Sequence, residues 1–357
     1  MKCRIWIFLF LVGFSFYGRA QNNSSVLLAD SSQFRNPKGV LLSKVSFRGL
    51  SVLDDKVIWA SGSRGCVARS IDGGITYDLI QIAGYDSTQF RDIEAFDQNT
   101  AIVMSSGTPG VILKTYNGGL NWTKVFEDKR PAIFLDAMDF WNAEEGMVIG
   151  DPINERFVLF KTIDGGNTWH AVDTSMRPWA IPGESLFAAS GTCFRCMPKH
   201  SIAFVTGGSK SYFHWLQLDK KYQRFELKSM PSGSPSCGAF SFDYNKHNIV
   251  IVGGDYSKDS VRTKQAIYSY NYSEDGLELL NLKPFYSNYR SGVTLFENGI
   301  FYTCGTKGID KNHTDKTITI SSNKTVVSTL SFNVVQKAKK GKIVVAAGNK
   351  GMIGLLK

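Results

Sequence analysis

The sequence predicts an all-β fold, a seven-bladed β-propeller with four strands per blade, and three observations carry that expectation. A glycine-rich turn recurs as "RSIDGGITYDLI" (69–80), "KTYNGGLNWTKV" (114–125) and "KTIDGGNTWHAV" (161–172), its glycine pairs 45 and 47 residues apart. Intervals of that size mark arrays built from one supersecondary unit. A Phe-centred segment precedes each turn: "VSFRGLSV" (45–52), "TQFRDIEAF" (88–96) and "AIFLDAMDF" (132–140). Between the two lies an apolar run of strand length ending in small residues. Seven such runs occur, "VIWASGS", "AIVMSSG", "GMVIGD", "SIAFVTGG", "NIVIVGG", "GIFYTCG" and "KIVVAAG", as expected of a buried second strand in each of seven copies.

The Phe-centred segments read as the inner strands around a central channel. Four more candidates follow at 184–191, 237–243, 288–296 and 327–334. Each recurring turn reads as the hairpin between the third and fourth strands. Asp72 and Asp164 can accept hydrogen bonds from the backbone N–H groups of the turns they begin, while Gly73, Gly74, Gly118, Gly119, Gly165 and Gly166 tolerate positive φ. Thr76 and Thr168 can lock the returning chain. Tyr77, Trp122 and Trp169 place a flat side chain against the neighbouring copy, and Asn117 with Asn121 keeps the hydrogen-bonding capacity in the second copy.

Those turns follow the pattern S/T-x-D-x-G-x-T-W, and the chain resembles the Asp-box, or BNR-repeat, β-propellers, in particular the branch related to photosystem II assembly and stability factors. Three copies over about residues 40–175 match well. Later ones decay: "NYSEDGLELL" (271–280) keeps Asp275 and Gly276, and "QLDKKYQRFEL" keeps Asp219. The resemblance implies a non-catalytic protein that binds a protein partner in an assembly or stability role. Nothing else in the sequence points to photosynthesis.

The last copy offers three strands, roughly 328–335, 342–348 and 351–356, and "SSVLLAD" (24–30) is expected to supply the fourth, joining the chain's two ends. The first residues, "MKCRIWIFLFLVGFSFYGRAQ", set Lys2 and Arg4 before an apolar stretch and small residues at Gly18 and Ala20. This is a signal-peptide pattern over 1–20, with a single propeller domain over 21–357 and an exported, periplasmic or extracellular location. Cleavage would leave a net charge of +7 out of the full chain's +10, favouring an acidic partner, an anionic ligand or an anionic membrane surface. No later segment is long and apolar enough for a transmembrane helix. Nucleic acid is not expected, since no binding motif for it is present, and a monomer is expected. The cofactor is left unassigned.

Five cysteines follow the leader: Cys66, Cys193, Cys196, Cys237 and Cys304. "CFRC" lacks the helix N-terminus that a redox pair uses and a second ligand pair for zinc, so buried thiols are expected.

Arg48, Arg91 and Arg290 share one place in three inner strands, "SFRG", "QFRD" and "NYRS". A ring would bring them towards one axis. Two readings stay open there: an anion or partner site formed with Asp92, Asp136 and Asp151, or channel filler in which Asp92, Glu94, Asp136 or Asp139 neutralises each arginine. Sialidases, which also carry Asp-boxes, use three arginines with a tyrosine nucleophile, so a sialidase-like hydrolase is the catalytic alternative. No tyrosine stands out for that role. A redox-cofactor propeller is weaker, because the glycine clusters end strands and open no helix. The segments 150–156, 253–265 and 304–316 read as long loops on the face opposite the Asp-box hairpins, made basic by Lys258, Arg262, Lys264, Lys307, Lys311 and Lys316. Long loops on one face suggest a recognition surface.

Overall fold

A computed structural model describes residues 26–28, 41–218, 220–273, 275–281, 284–314 and 325–356. The expected leader, Asp219 and Lys316 lie outside the described residues.

Each repeat folds as an antiparallel meander, because alternating or fully apolar runs of four to eight residues are separated by turns rich in glycine, asparagine and aspartate. The first sheet comprises Phe47–Val52, Ile58–Gly62, Cys66–Ser70 and Asp78–Gln81, and the second Phe90–Ala95, Ala101–Ser105, Gly110–Thr115 and Thr123–Asp128. The third is built from Leu135–Phe140, Gly146–Ile153, Arg156–Thr162 and His170–Ala171. Phe194–Met197, Ser201–Val205, Tyr212–Gln217 and Lys221–Glu226 make the fourth. The fifth centres on Ser234–Tyr244, Asn248–Asp255, Thr263–Ser273 and Gly276–Asn281, and the sixth on Gly292–Leu295, Ile300–Gly305, Gly308–His313 and Thr325–Ser328. The last sheet orders Val334–Lys337, Val344–Ala347, Ile353–Leu356 and then Val26–Leu28, which pairs antiparallel with Ile353–Leu356.

The architecture is an all-β propeller. Its sheets are less uniform than the sequence predicts: six are four-stranded, whereas the fifth has seven strands. The physical cause is length. Two of its strands run for 11 residues, and their overhangs pair with Gly207–Gly208 and Phe285–Ser287, with Glu184–Ser185 added beyond Gly207–Gly208.

Three further expectations are corrected. The fourth inner strand is Phe194–Met197 and not 184–191, of which only Glu184–Ser185 is a strand. The rest of that segment crosses a channel mouth. The candidate at 327–334 straddles the end of the sixth sheet and the start of the last. Two of the expected long loops are ladder: Pro152 pairs with Phe157 and Ile153 with Arg156, while Gly305 pairs with Gly308 around a two-residue turn. Of the three, only 253–265 holds a longer connection, 256–262 between two strands, containing the short helix Tyr256–Lys258.

Apolar clusters fill the spaces between adjacent sheets. Ile58 and Ala60 of the first sheet meet Val345 and Ala347 of the last, and Trp59 meets Ile93 and Val103 of the second. Fully burying one such side chain stabilises by roughly 1.5–3 kcal/mol.

The recurring turns repeat one hydrogen-bond pattern. Asp72 accepts from Thr76 N at 2.9 Å and Thr76 Oγ1 at 2.6 Å, and Ser70 Oγ accepts from Gly74 N at 2.9 Å. Asp164 does the same with Thr168 at 2.9 and 2.7 Å, with Thr162 Oγ1 accepting from Gly166 N at 2.8 Å. Asn117 Oδ1 accepts from Asn121 N at 3.0 Å and Thr115 Oγ1 at 3.1 Å, and Thr115 Oγ1 accepts from Gly119 N at 3.0 Å; the bond from a threonine hydroxyl at the fourth position is lost with Asn121. Gly74, Gly119 and Gly166 have φ of 84°, 87° and 80°, a region L side chains rarely adopt. Trp122 reaches back to Trp59 of the preceding sheet, ring centres 6.4 Å apart and edge to face. Burial opposes its ionisation, but the Thr168 and Thr162 hydrogen bonds prevail and hold the Asp164 carboxyl down at about 2.

Asp164→Ala is expected to cost roughly 0.5–1.5 kcal/mol, the net worth of a typical hydrogen bond, since the turn donors it releases are exposed and can turn to water. A depressed folded pKa contributes stability above the unfolded value that fades as pH falls through about 2. The variant's deficit, measured by denaturant melts, should therefore shrink between pH 5 and pH 2. Deleting residues 26–28 should lower the melting temperature by uncovering the edge of Ile353–Leu356; an unchanged melt would show that the pairing contributes nothing.

Candidate functional site

The inner strands encircle a channel whose two halves differ. Each strand begins at one mouth and ends at the other, where it turns into its second strand. The three recurring hairpins sit on those turns, through Gly73 N to Lys56 O, Gly118 N to Asn99 O and Gly165 N to Glu144 O. Residues early in the inner strands therefore mark the mouth opposite the hairpins.

Arg48 and Arg91, each the second residue of its strand, lie at that mouth. Segment 186–191 crosses in front of them: Arg91 Nη1 donates to Ala188 O at 2.9 Å and Arg48 Nη1 to Ala189 O at 3.3 Å. Neither has a carboxylate within ion-pair distance among the described residues. Burial lowers both guanidinium pKa values, Arg91 to about 10 with Arg48 adding a second, repulsive cause. Arg91 Nε is buried without a hydrogen-bond partner. Arg290 does not join them. It is fully buried and ion-paired to Asp310 of its own sheet, so the expected convergence of three arginines reduces to two.

The crossing segment is anchored on all sides. Phe187 stacks on Phe240 at 3.7 Å, Ser190 Oγ donates to Ser291 O at 2.6 Å, and Leu186 N donates to Asp151 Oδ1 at 2.9 Å. Gly191 is required there: with φ of 68°, an added Cβ would meet the Asp92 carboxylate at 2.3 Å. Behind the segment, Asp136 is fully buried, and burial followed by repulsion from Asp151 pushes its carboxyl well up. Burial likewise raises Asp151 to about 6.

Asp92 belongs to the other half. Its oxygens accept from Ile93 N and Met138 N, both at 2.8 Å, and burial raises its pKa well above the usual range. It neutralises none of the three arginines. Beyond it, towards the side of the recurring hairpins, opens a cavity of about 470 Å³ lined by Glu94, Asp139, Arg195, Asp243, Lys337 and Lys339 among others. Glu94 is ion-paired with Lys339, and Asp243 with Lys337 at 3.3 Å. Arg195 is the residue that sequence reading passed over. Phe194-Arg195 repeats the Phe-Arg pair of the first two copies, but the flanking cysteines drew attention to thiol chemistry. Cys193 and Cys196 are buried free thiols whose pKa values burial raises.

The channel does not assemble sialidase chemistry. Two arginines meet where three are needed, and burial raises the Tyr244, Tyr270 and Tyr289 phenols, the reverse of nucleophile activation. Of the basic residues expected on the recognition face, Lys258 and Arg262 occupy the long connection, Lys264 lies on the strand after it and pairs with Tyr286, Lys307 pairs with Asp259 at 3.5 Å, and Lys311 lies on a strand over Tyr302.

No family model and no curated protein matches the chain. Solved structures do. A structure of YCF48 bound to D1 peptide aligns with TM-score 0.57 and 12% identity over 96% of this chain and 97% of that one. The Pan2 WD40 domain of Neurospora crassa aligns with TM-score 0.58, 12% identity and 87% and 88% coverage. YCF48 from Cyanidioschyzon merolae gives 0.56, 13%, 88% and 96%. At such identities the likeness establishes the propeller fold. No helix among the described residues is long and apolar enough to cross a membrane.

Asp151 supplies a pH test. An acid whose folded pKa of about 6 exceeds its unfolded value of about 3.9 adds stability at low pH that is lost as pH rises through 6. Asp151→Asn keeps an acceptor for Leu186 N without the charge. Thermal melts should place it above the wild type at pH 8, with the gap closing by pH 4; a constant gap would remove the carboxylate from the account.

Proposed function

We propose that the chain is an exported, non-catalytic propeller of the Asp-box type that binds a carboxylate-bearing protein segment at the arginine mouth, in an assembly or stability role. The observation that supports this reading best is the pair Arg48 and Arg91. Two like charges held partly out of water with only backbone carbonyls for partners are electrostatically under-compensated, and a carboxylate can satisfy a guanidinium through two parallel N–H bonds. The matching hydrogen bonds of the three hairpins favour the Asp-box reading, and the pairing of Val26–Leu28 with the last sheet favours a ring closed by its own N-terminal strand. YCF48 bound to D1 peptide offers a precedent for a peptide on this fold.

The surroundings suit a protein partner. Tyr256 is 53% exposed beside Phe240, which carries the stacked Phe187, and the same connection adds Lys258 and Arg262, with Lys264 on the strand after it. Aromatic and arginine side chains are the groups that most often anchor protein interfaces.

Photo-crosslinking from position 256 in native cells, read by mass spectrometry, tests the proposal. The adduct should map to an acidic segment or a C-terminal carboxylate. Arg91→Gln should weaken binding of that partner by roughly 1.5–3 kcal/mol, the range for a charged hydrogen bond, while thermal stability stays near that of the wild type. Unchanged binding would remove the arginines from the site.

A further inference from the structure

The cavity in the other half of the channel has a charge balance of its own. Asp92 has both oxygens on backbone amides, Glu94 is spent on Lys339, and Asp243 accepts from Tyr244 N at 3.0 Å and Leu295 N at 2.7 Å besides pairing with Lys337. Lys246 and Glu297 line the cavity from exposed positions, and deeper in it two charged groups remain with open valences. Arg195 has a side chain only 12% exposed, approaches Asp243 Oδ1 with Nε at 3.8 Å, and donates no hydrogen bond to any described residue. Asp139, on the adjacent inner strand, accepts from Cys196 N at 2.8 Å through Oδ2 and makes no hydrogen bond through Oδ1 among the described residues. That bond places the Asp139 carboxylate beside the backbone of Arg195, the residue before Cys196.

A planar guanidinium with unused donors and a carboxylate with an unused oxygen thus face one cavity of about 470 Å³, within the range of small-molecule sites. The signs of the free groups restrict what fits. A simple anion drawn to Arg195 meets Asp139 and Asp243; a simple cation drawn to Asp139 meets Arg195. A ligand carrying both charges satisfies both groups without leaving either unpaired. The wall is apolar enough for a side chain: Leu50, Ile93, Met138 and Phe140 contribute to it. Tyr244 and Tyr270 line it too, their hydroxyls already donated to Cys196 O at 3.0 Å and Asn245 O at 2.7 Å.

We propose that this cavity binds a small zwitterion, an α-amino acid or a short peptide with both ends free, its carboxylate on Arg195 and its ammonium on Asp139. The site is separate from the arginine mouth, so either can fail alone.

Calorimetric titration of the full chain with free amino acids and dipeptides tests this, alongside the same compounds acetylated at the amine or amidated at the carboxyl. Zwitterions should bind, and each blocked form should bind at least about tenfold more weakly, the loss of one charged hydrogen bond. Preference for amino acids over dipeptides, or the reverse, identifies the source. Arg195→Gln should abolish discrimination against the amidated forms, and Asp139→Asn, which keeps an acceptor for Cys196 N, discrimination against the acetylated ones. Should either variant fail to fold, the wild-type comparison still decides. No binding of any zwitterion at millimolar concentration, or blocked forms binding as well as free ones, overturns the proposal.

Discussion

Inner strands of neighbouring sheets splay apart around a channel and cannot ladder with one another, so the N–H groups they turn towards the next sheet need acceptors from somewhere else. Here each junction supplies one. Ser51 Oγ accepts from Ala95 N, Asp92 from Met138 N, Asp139 from Cys196 N, Ser241 and Asp243 from Val293 N and Leu295 N, and Thr294 Oγ1 from Lys337 N, all between 2.7 and 3.2 Å. Backbone carbonyls complete the circuit, Thr192 O for Phe242 N and Val52 O for Lys339 N. A buried amide left without an acceptor costs about 1–3 kcal/mol. The polar character of the channel is therefore first a condition of ring assembly.

This division of labour explains why the two halves have different electrostatics. Where short carboxylates hold the next strand, lysines and Arg195 gather beside them and the charges balance. At the opposite mouth the arginines meet carbonyls of a crossing segment, and Asp136, the nearest acid behind it, is pushed towards its neutral form. Positive charge is left over at that end. The difference follows from which side chains serve as clamps, and neither half carries the arrangement that sialidase-type hydrolysis requires.

Repetition made most of the fold legible. The interval between glycine pairs, the Phe-centred segments and the apolar runs located the inner strands of the first three sheets to within a few residues, because in those copies the turn chemistry and the strand pattern agree. Legibility failed where they part. "ESLFAASG" has an apolar pattern but precedes no hairpin of the recurring type, and the inner strand is the next segment, hidden behind two cysteines. Loop length was overestimated at Asp151-Pro152 and at Lys307-Gly308, since polar residues on strand overhangs resemble loops. Arg290 shares its sequence context with Arg48 and Arg91, yet Asp310, 20 residues on, claims it; such a partner is invisible without the pairing of Thr303 with Asp310.

The sheet that joins Val26–Leu28 to Ile353–Leu356 bears on how the molecule is made. During synthesis the first strand emerges early and has no mate until nearly the whole chain has been produced. A product without Ile353–Leu356 lacks the strand that pairs with Val26–Leu28 and leaves backbone groups open to pairing with another chain. One sheet thus waits on two segments made at widely separated times, and its ladder is complete only once both are present.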